Sequence, residues 1–175
     1  KSVERFDTRY RNFTSFPDGL VRPRALLAAA ATSTKAFFAG GFDGQARSDV
    51  DVFDLDTDSF YQITPLQEAR YSLIGVTVKE GQDIAIFGGG RRRDGLSPTG
   101  SKMIDIYDGP SGNHSYREMI SPRMFHFGGS AKQYVLFGLG LPSDPGFQNV
   151  LSWLGTEPVL SVDVFDVSIE KIIAR

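Results

Sequence analysis

The chain has 175 residues, 41% hydrophobic and 23% charged, with 14 Phe and 19 Gly, a balance that suits a globular fold of short strands and tight turns. Its 19 Lys and Arg stand against 21 Asp and Glu, a formal net charge of −2, which gives no argument for nucleic-acid binding, and there is no run of about 18 apolar residues to span a membrane. The absence of cysteine excludes disulfides, thiolate metal sites and cysteine nucleophiles.

The chain opens at Lys1 with neither Met nor a signal peptide, which suits a processed product or a piece of something longer. Ser2-Val3-Glu4-Arg5-Phe6-Asp7 alternates apolar and polar residues, the mark of a half-buried strand. The Asp that ends it suits a turn, because its carboxylate can accept from nearby backbone N–H groups. A second strand is expected over about 12–16, making residues 1–19 half of a unit.

Arg24 opens the next unit, residues 20–68, with strands near 25–32, 35–39, 49–53 and 59–63. Its second strand runs Phe37-Phe38-Ala39 into Gly40-Gly41, and its third is Asp49-Val50-Asp51-Val52-Phe53-Asp54. Arg70 opens residues 69–121, with strands near 71–78, 83–87, 102–107 and 115–119; Ala85-Ile86-Phe87 runs into Gly88-Gly89, and Met103-Ile104-Asp105-Ile106-Tyr107-Asp108 alternates. Arg123 opens residues 122–175, with strands near 124–130, 133–137, 160–165 and 169–174. This unit carries Val135-Leu136-Phe137-Gly138-Leu139-Gly140 and Ser161-Val162-Asp163-Val164-Phe165-Asp166, and Arg175 closes the chain. The first glycines lie 48 and 50 residues apart, and the aromatic positions of the alternating strands 47, 54 and 58 apart. A repeat of about fifty residues is the signature of stacked supersecondary units. A generic antiparallel sandwich is the alternative, but it has no need to repeat its glycines at that period.

This plan resembles the kelch repeat, an apolar strand ending in Gly-Gly followed by a Tyr-Asp-like turn six residues before a Trp. Gly40-Gly41 and Gly88-Gly89 supply the doublet, and Gly138-Leu139 breaks it. Phe13, Phe60, His114 and Ile172 fall at the Trp position, with Tyr116 as an alternative to His114 through a two-residue insertion. The resemblance implies an all-β fold of kelch-type β-propeller blades, each of four antiparallel strands. There are about three and a half of them: a half blade at 1–19, then blades at 20–68, 69–121 and 122–175. It implies a non-catalytic scaffold for protein binding or self-assembly. The half blade lacks its two inner strands, and unpaired strand edges invite pairing. The chain is thus expected either to be a fragment of a larger propeller, such as an intracellular kelch adaptor, or to be completed by copies of itself, head to tail.

Two insertions, 90–100 and 141–158, are expected as loops joining the second and third strands on one face, where propeller loops commonly bind. The first holds Arg91, Arg92 and Arg93, suited to a carboxylate, phosphate or sulfated sugar or else simply solvated. The second holds Trp153, the only tryptophan. A carbohydrate-binding or carbohydrate-modifying propeller using these loops is a further alternative. Asn12-Phe13-Thr14 and Asn113-His114-Ser115 are N-glycosylation acceptors, each five residues after a turn Asp; Ser59 and Glu170 are assigned to the same place in the other units.

His114 and His126 are too few for a metal site, and His126 reads as a structural histidine on an inner strand. Asp49, Asp51, Asp105 and Asp163 could ring a cation but read as a polar strand face. Galactose-oxidase-like relatives of the propeller would need a cysteine-linked tyrosine, which this chain cannot build. The expected partners are a protein or further copies of this chain, with N-linked glycans, no cofactor, no nucleic acid and no membrane span. The expected location is extracellular or on the cell surface, with the cytoplasm as alternative.

Overall fold

A computed structural model describes residues 1–94, 97–141 and 161–174, the side chains of residues 93, 94, 97 and 98 excepted. The described residues form strands and turns, with no helix. β1 (Val3–Asp7) and β2 (Asn12–Phe16) form a hairpin. β3 (Ala28–Ala31), β4 (Lys35–Ala39), β5 (Val50–Asp54) and β6 (Ser59–Gln62) form a four-stranded antiparallel sheet in chain order. A second sheet runs β7 (Ile74–Val78), β8 (Ile84–Gly88), β10 (Ser97–Asp108), β11 (His114–Arg123), with β9 (Arg91–Asp94) pairing with β10 off this path. A third runs β12 (Phe127–Ala131), β13 (Tyr134–Gly138), β14 (Val162–Asp166), β15 (Lys171–Ala174). These sheets are kelch-type blades in a partial propeller: they stack side by side without closing a ring.

The core lies between blades. Phe37, Val50 and Val52 of the first full blade meet Phe87 and Tyr107 of the second. Ile86, Ile104 and Ile106 of the second meet Val135, Phe137 and Phe165 of the third. Each such side chain, fully buried, contributes roughly 1.5–3 kcal/mol. The strands alternate because each presents one face to the preceding blade and the other to the following one.

The turn aspartates act as the alternation suggests. Asp7 accepts from the N–H groups of Arg9 and Tyr10, Asp54 from Asp56 and Thr57, Asp108 from Ser111 and Asp166 from Ser168. The N–H of Thr57 first, and that of Asp56, hold the Asp54 carboxyl below the usual carboxylate range. Each turn then passes through a left-handed residue, Arg11, Asp58, Gly112 or Glu170. Glu170 is therefore a turn residue, and Lys171, paired with Asp166, is the counterpart of Asn12, which pairs with Asp7, and of Ser59, which pairs with Asp54. The expected equivalence of Glu170 with Asn12 is corrected by one position.

The glycine doublet shifts as well. Gly40, Gly89 and Leu139 occupy one site, since their N–H groups donate to Asp49, Met103 and Ser161 respectively. All three are left-handed, with φ of 66°, 60° and 59°. The doublets are thus Gly40-Gly41, Gly89-Gly90 and Leu139-Gly140. An extra glycine, Gly88, hid this register, and it stands where Ala39 and Gly138 stand in the other blades.

The first strands begin later than expected, at Ala28, Ile74 and Phe127, because Leu26, Ser72 and Phe125 take positive φ of 55°, 52° and 50°. A left-handed non-glycine residue leaves no mark in an apolar pattern. His126 consequently lies just before β12 instead of within it. The expected loop after Gly89-Gly90 is a hairpin: Arg91–Arg93 lie in β9, and β10 and β11 extend to meet it.

Candidate binding surface

Three buried ion pairs pin the blades. Arg24 donates to Asp51 at 2.6 Å and to the carbonyls of Gly40 and Phe38. Arg70 donates to Asp105 and to the carbonyls of Gly89, Met103 and Phe87. Arg123 donates to the carbonyls of Leu139 and Ser161 and stands 3.3 Å from Asp163. In every case both side chains are withdrawn from solvent. Burial pulls the Arg70 guanidinium down and the Asp105 charge opposes it. The guanidinium satisfies the carbonyls that the glycine turn frees, and the carboxylate balances its charge. Asp51 and Asp105 also accept from the N–H groups of Val21 and Gln67, in the segments joining one blade to the next. Sequence reading marked these arginines and aspartates separately and missed their pairing; their shared fifty-residue period was the available signal.

His114 reaches Asp105 through Nε2 at 2.8 Å and stacks on Tyr107, 4.6 Å between ring centres. It faces Tyr107 across the hairpin as Phe60 faces Phe53, so His114, not Tyr116, occupies the aromatic position. His126 is buried, and burial first, then the Arg123 charge, pushes it down to about 4. Among the described residues no group of three or more His, Asp or Glu is placed to hold a metal ion, and no helix is long and apolar enough to cross a membrane.

Arg91 is buried, its guanidinium 5.1 Å from the ring centre of Tyr71 and 5.0 Å from that of Phe125. Tyr71 in turn meets Phe42 at 4.9 Å. A row Phe42–Tyr71–Arg91–Phe125 therefore crosses all three full blades, and nothing in the local sequence announced it. Arg92 donates to Thr99 and Glu68. Arg93 lies in β9 with its side chain outside the described residues, as is the whole of Trp153. Asn12 and Asn113 are both exposed, at the outer hairpins. Asn113 lines a groove with Gln82, Asp108, Ser111, His114 and Glu170.

The last blade presents an open apolar face. Phe37 and Ile86 are 1% and 0% exposed, whereas Leu136, at the same register, is 38% exposed. Val50 and Ile104 are 1% and 0% exposed, and their counterpart Val162 is 37%. Phe127, the counterpart of buried Ala28, is 71% exposed. With Leu139 these residues line a groove of about 440 Å³.

Residues 23–67 match the family model described as the Kelch motif. A search of curated proteins found no match. The matched stretch is the blade of β3–β6 with its Arg24–Asp51 pair, and the other two full blades repeat its arginine, its aspartate and its left-handed turn. The chain carries a kelch motif over residues 23–67, and its other full blades repeat that motif's plan.

Proposed function

We propose that this chain is a non-catalytic propeller scaffold that binds other proteins and assembles with copies of itself, as an N-glycosylated protein outside the cell or on its surface. The observation that carries the binding role is the division of its groups. Arg24 with Asp51 and Arg70 with Asp105 hold one another and the backbone, and Arg123 binds backbone carbonyls beside Asp163, while large apolar side chains stand exposed on the outer blades, Phe6 and Phe13 on one and Leu136 and Val162 on the other. Such exposed apolar area marks a protein contact. Blade-equivalent Asn12 and Asn113 support the glycoprotein reading, because a glycan on an outer hairpin leaves the inter-blade core untouched. The carbohydrate-binding alternative gains nothing from Arg91, which is engaged between two rings.

Intact mass of the natural material tests the reading. A denatured mass above 19.2 kDa by hexosamine- and hexose-sized steps, lost on Asn12→Gln and Asn113→Gln, is expected. A bare chain would sink the extracellular glycoprotein. Cross-linking of the same material should join these apolar ends to polypeptide; cross-links confined to the chain itself, with a monomeric native mass, would sink the scaffold.

A further inference from the structure

The acceptor sequence at Asn113 stands on the rim of the groove between the second and third full blades. Ile84 pairs with Asp108 and Tyr134 with Asp166, so the groove lies at the end of both blades that carries the turn aspartates. Gly88 pairs with Ile104 and Gly138 with Val162, so the insertions that follow these glycines begin at the opposite end. Both walls of the groove are therefore built by neighbouring full blades.

The turn that presents Asn113 is fixed. The Asp108 carboxylate accepts from the N–H of Ser111 at 2.7 Å and from its hydroxyl at 2.6 Å. The N–H of Asn113 donates to the Ser111 hydroxyl at 3.2 Å, and its carbonyl accepts from the N–H of Asp108 at 3.0 Å. Its side chain stays exposed. From the third blade, Glu170 pairs with Arg117 of β11, which ties the last turn to the second blade's outer strand.

The lining is graded from apolar to polar. Ile84, Ile106 and Val167 belong to the core between these blades and surface in the groove. Gln82, Ser111 and Glu170 add an amide, a hydroxyl and a carboxylate around them. A pyranose has the matching halves: an apolar face of C–H groups, with an acetyl methyl on an amino sugar, and an edge of hydroxyls. The groove measures about 440 Å³, within the roughly 300–1,000 Å³ usual for small-ligand sites. A sugar joined to Asn113 Nδ2 is also tethered beside it, and a tether keeps seated a group too weak to bind from solution.

We infer that this groove seats the first N-acetylhexosamine of a glycan carried on Asn113, its acetyl methyl over Ile84, Ile106 and Val167 and its hydroxyls towards Gln82, Ser111 and Glu170. This rests on the reading of the chain as an N-glycoprotein and gives that glycan a role. The sugar bridges the outer turns of two blades and stabilises their junction.

Wild type and variants secreted from a eukaryotic host test this, with site-resolved mass spectrometry separating Asn113 from Asn12. Gln82→Trp fills the groove without touching the acceptor sequence. Glu170→Gly, compatible with its φ of 50°, opens it instead. Circular dichroism checks that both fold. Amidase release of the Asn113 glycan from the folded protein should be roughly tenfold faster in either variant, the effect of a seating free energy of about 1.4 kcal/mol. Ser115→Ala, which removes the acceptor sequence and keeps Asn113, should lower Tm by about 2–4 °C. Trimming the wild-type glycan to its first sugar should leave Tm unchanged. Equal release from wild type and both groove variants overturns the seating, as does a Tm unmoved by Ser115→Ala, and both leave the glycoprotein reading standing. A glycan on Asn12 alone removes the seating only. A chain bare at both asparagines removes the glycoprotein reading and the seating with it.

Discussion

At the scale of single residues, the inter-blade arginines decide most. Arg70 is the one arginine or lysine among the described residues that pairs with Asp105, and Asp105 also takes the N–H of Gln67 and the ring of His114. Arg70→Ala would leave that carboxylate buried and unbalanced and would free the carbonyls of Gly89, Met103 and Phe87. Breaking one partner of a buried pair costs about 3–5 kcal/mol, and chemical denaturation should read a loss of that size. His126 acts through pH. It sits where Leu27 and Leu73 sit in the other blades, three residues beyond the opening arginine and one beyond the left-handed residue, packed against Gly89. Its folded-state value of about 4 lies below the ordinary 6.5, so between those values the unfolded chain binds the proton and the folded chain does not. The contribution of neutral His126 is therefore intact above pH 6.5 and is lost as the pH falls towards 4, by about 3 kcal/mol in all. His126→Leu should remove this component. The difference in unfolding free energy between variant and wild type should then widen in the variant's favour from pH 7 to pH 4; a constant difference would contradict the assignment.

At the scale of elements, neighbouring first strands approach closely enough to dictate side-chain size. A Cβ on Gly75 of β7 would stand 2.3 Å from the carbonyl oxygen of Ala29 on β3, and backbone cannot swing aside as a side chain can. Gly75→Ala should force the two blades apart and cost about 1–3 kcal/mol. Gly129 on β12 has nothing within 4 Å of the same construction, and Gly129→Ala should stay within about 0.5 kcal/mol. Thermal melts of the two variants side by side check the contrast. Similar losses at both sites would mean that the face of β12 is covered in the isolated chain.

At the scale of the whole molecule, stacked blades stabilise one another only through nearest neighbours. Among the described residues, the blade of β7–β11 is covered on both sides, that of β12–β15 on one, and the half blade of β1–β2 has no sheet partner beyond its own hairpin. Amide hydrogen exchange should follow that order, slowest in β8 and β10 and fastest in β1 and β2. Uniform protection would instead indicate that both outer blades are covered in solution.

The repeat, the blade type and the turn aspartates were legible in the sequence, because alternation with period two and a fifty-residue recurrence are local, additive signals. The exposed hairpin asparagines were found the same way, from their distance to the turn. The tertiary structure alone decided which glycine belongs to the doublet, since Gly88, Gly89 and Gly90 are chemically identical and only hydrogen bonds to Met103 and Arg123 separate them. It alone paired Arg24, Arg70 and Arg123 with aspartates 27, 35 and 40 residues away, and it moved Arg91 from an expected ligand loop into a stack between Tyr71 and Phe125. Those outcomes depend on which blades are neighbours and how their faces meet. A linear pattern records that a residue is apolar or charged; what covers it is a property of the stack.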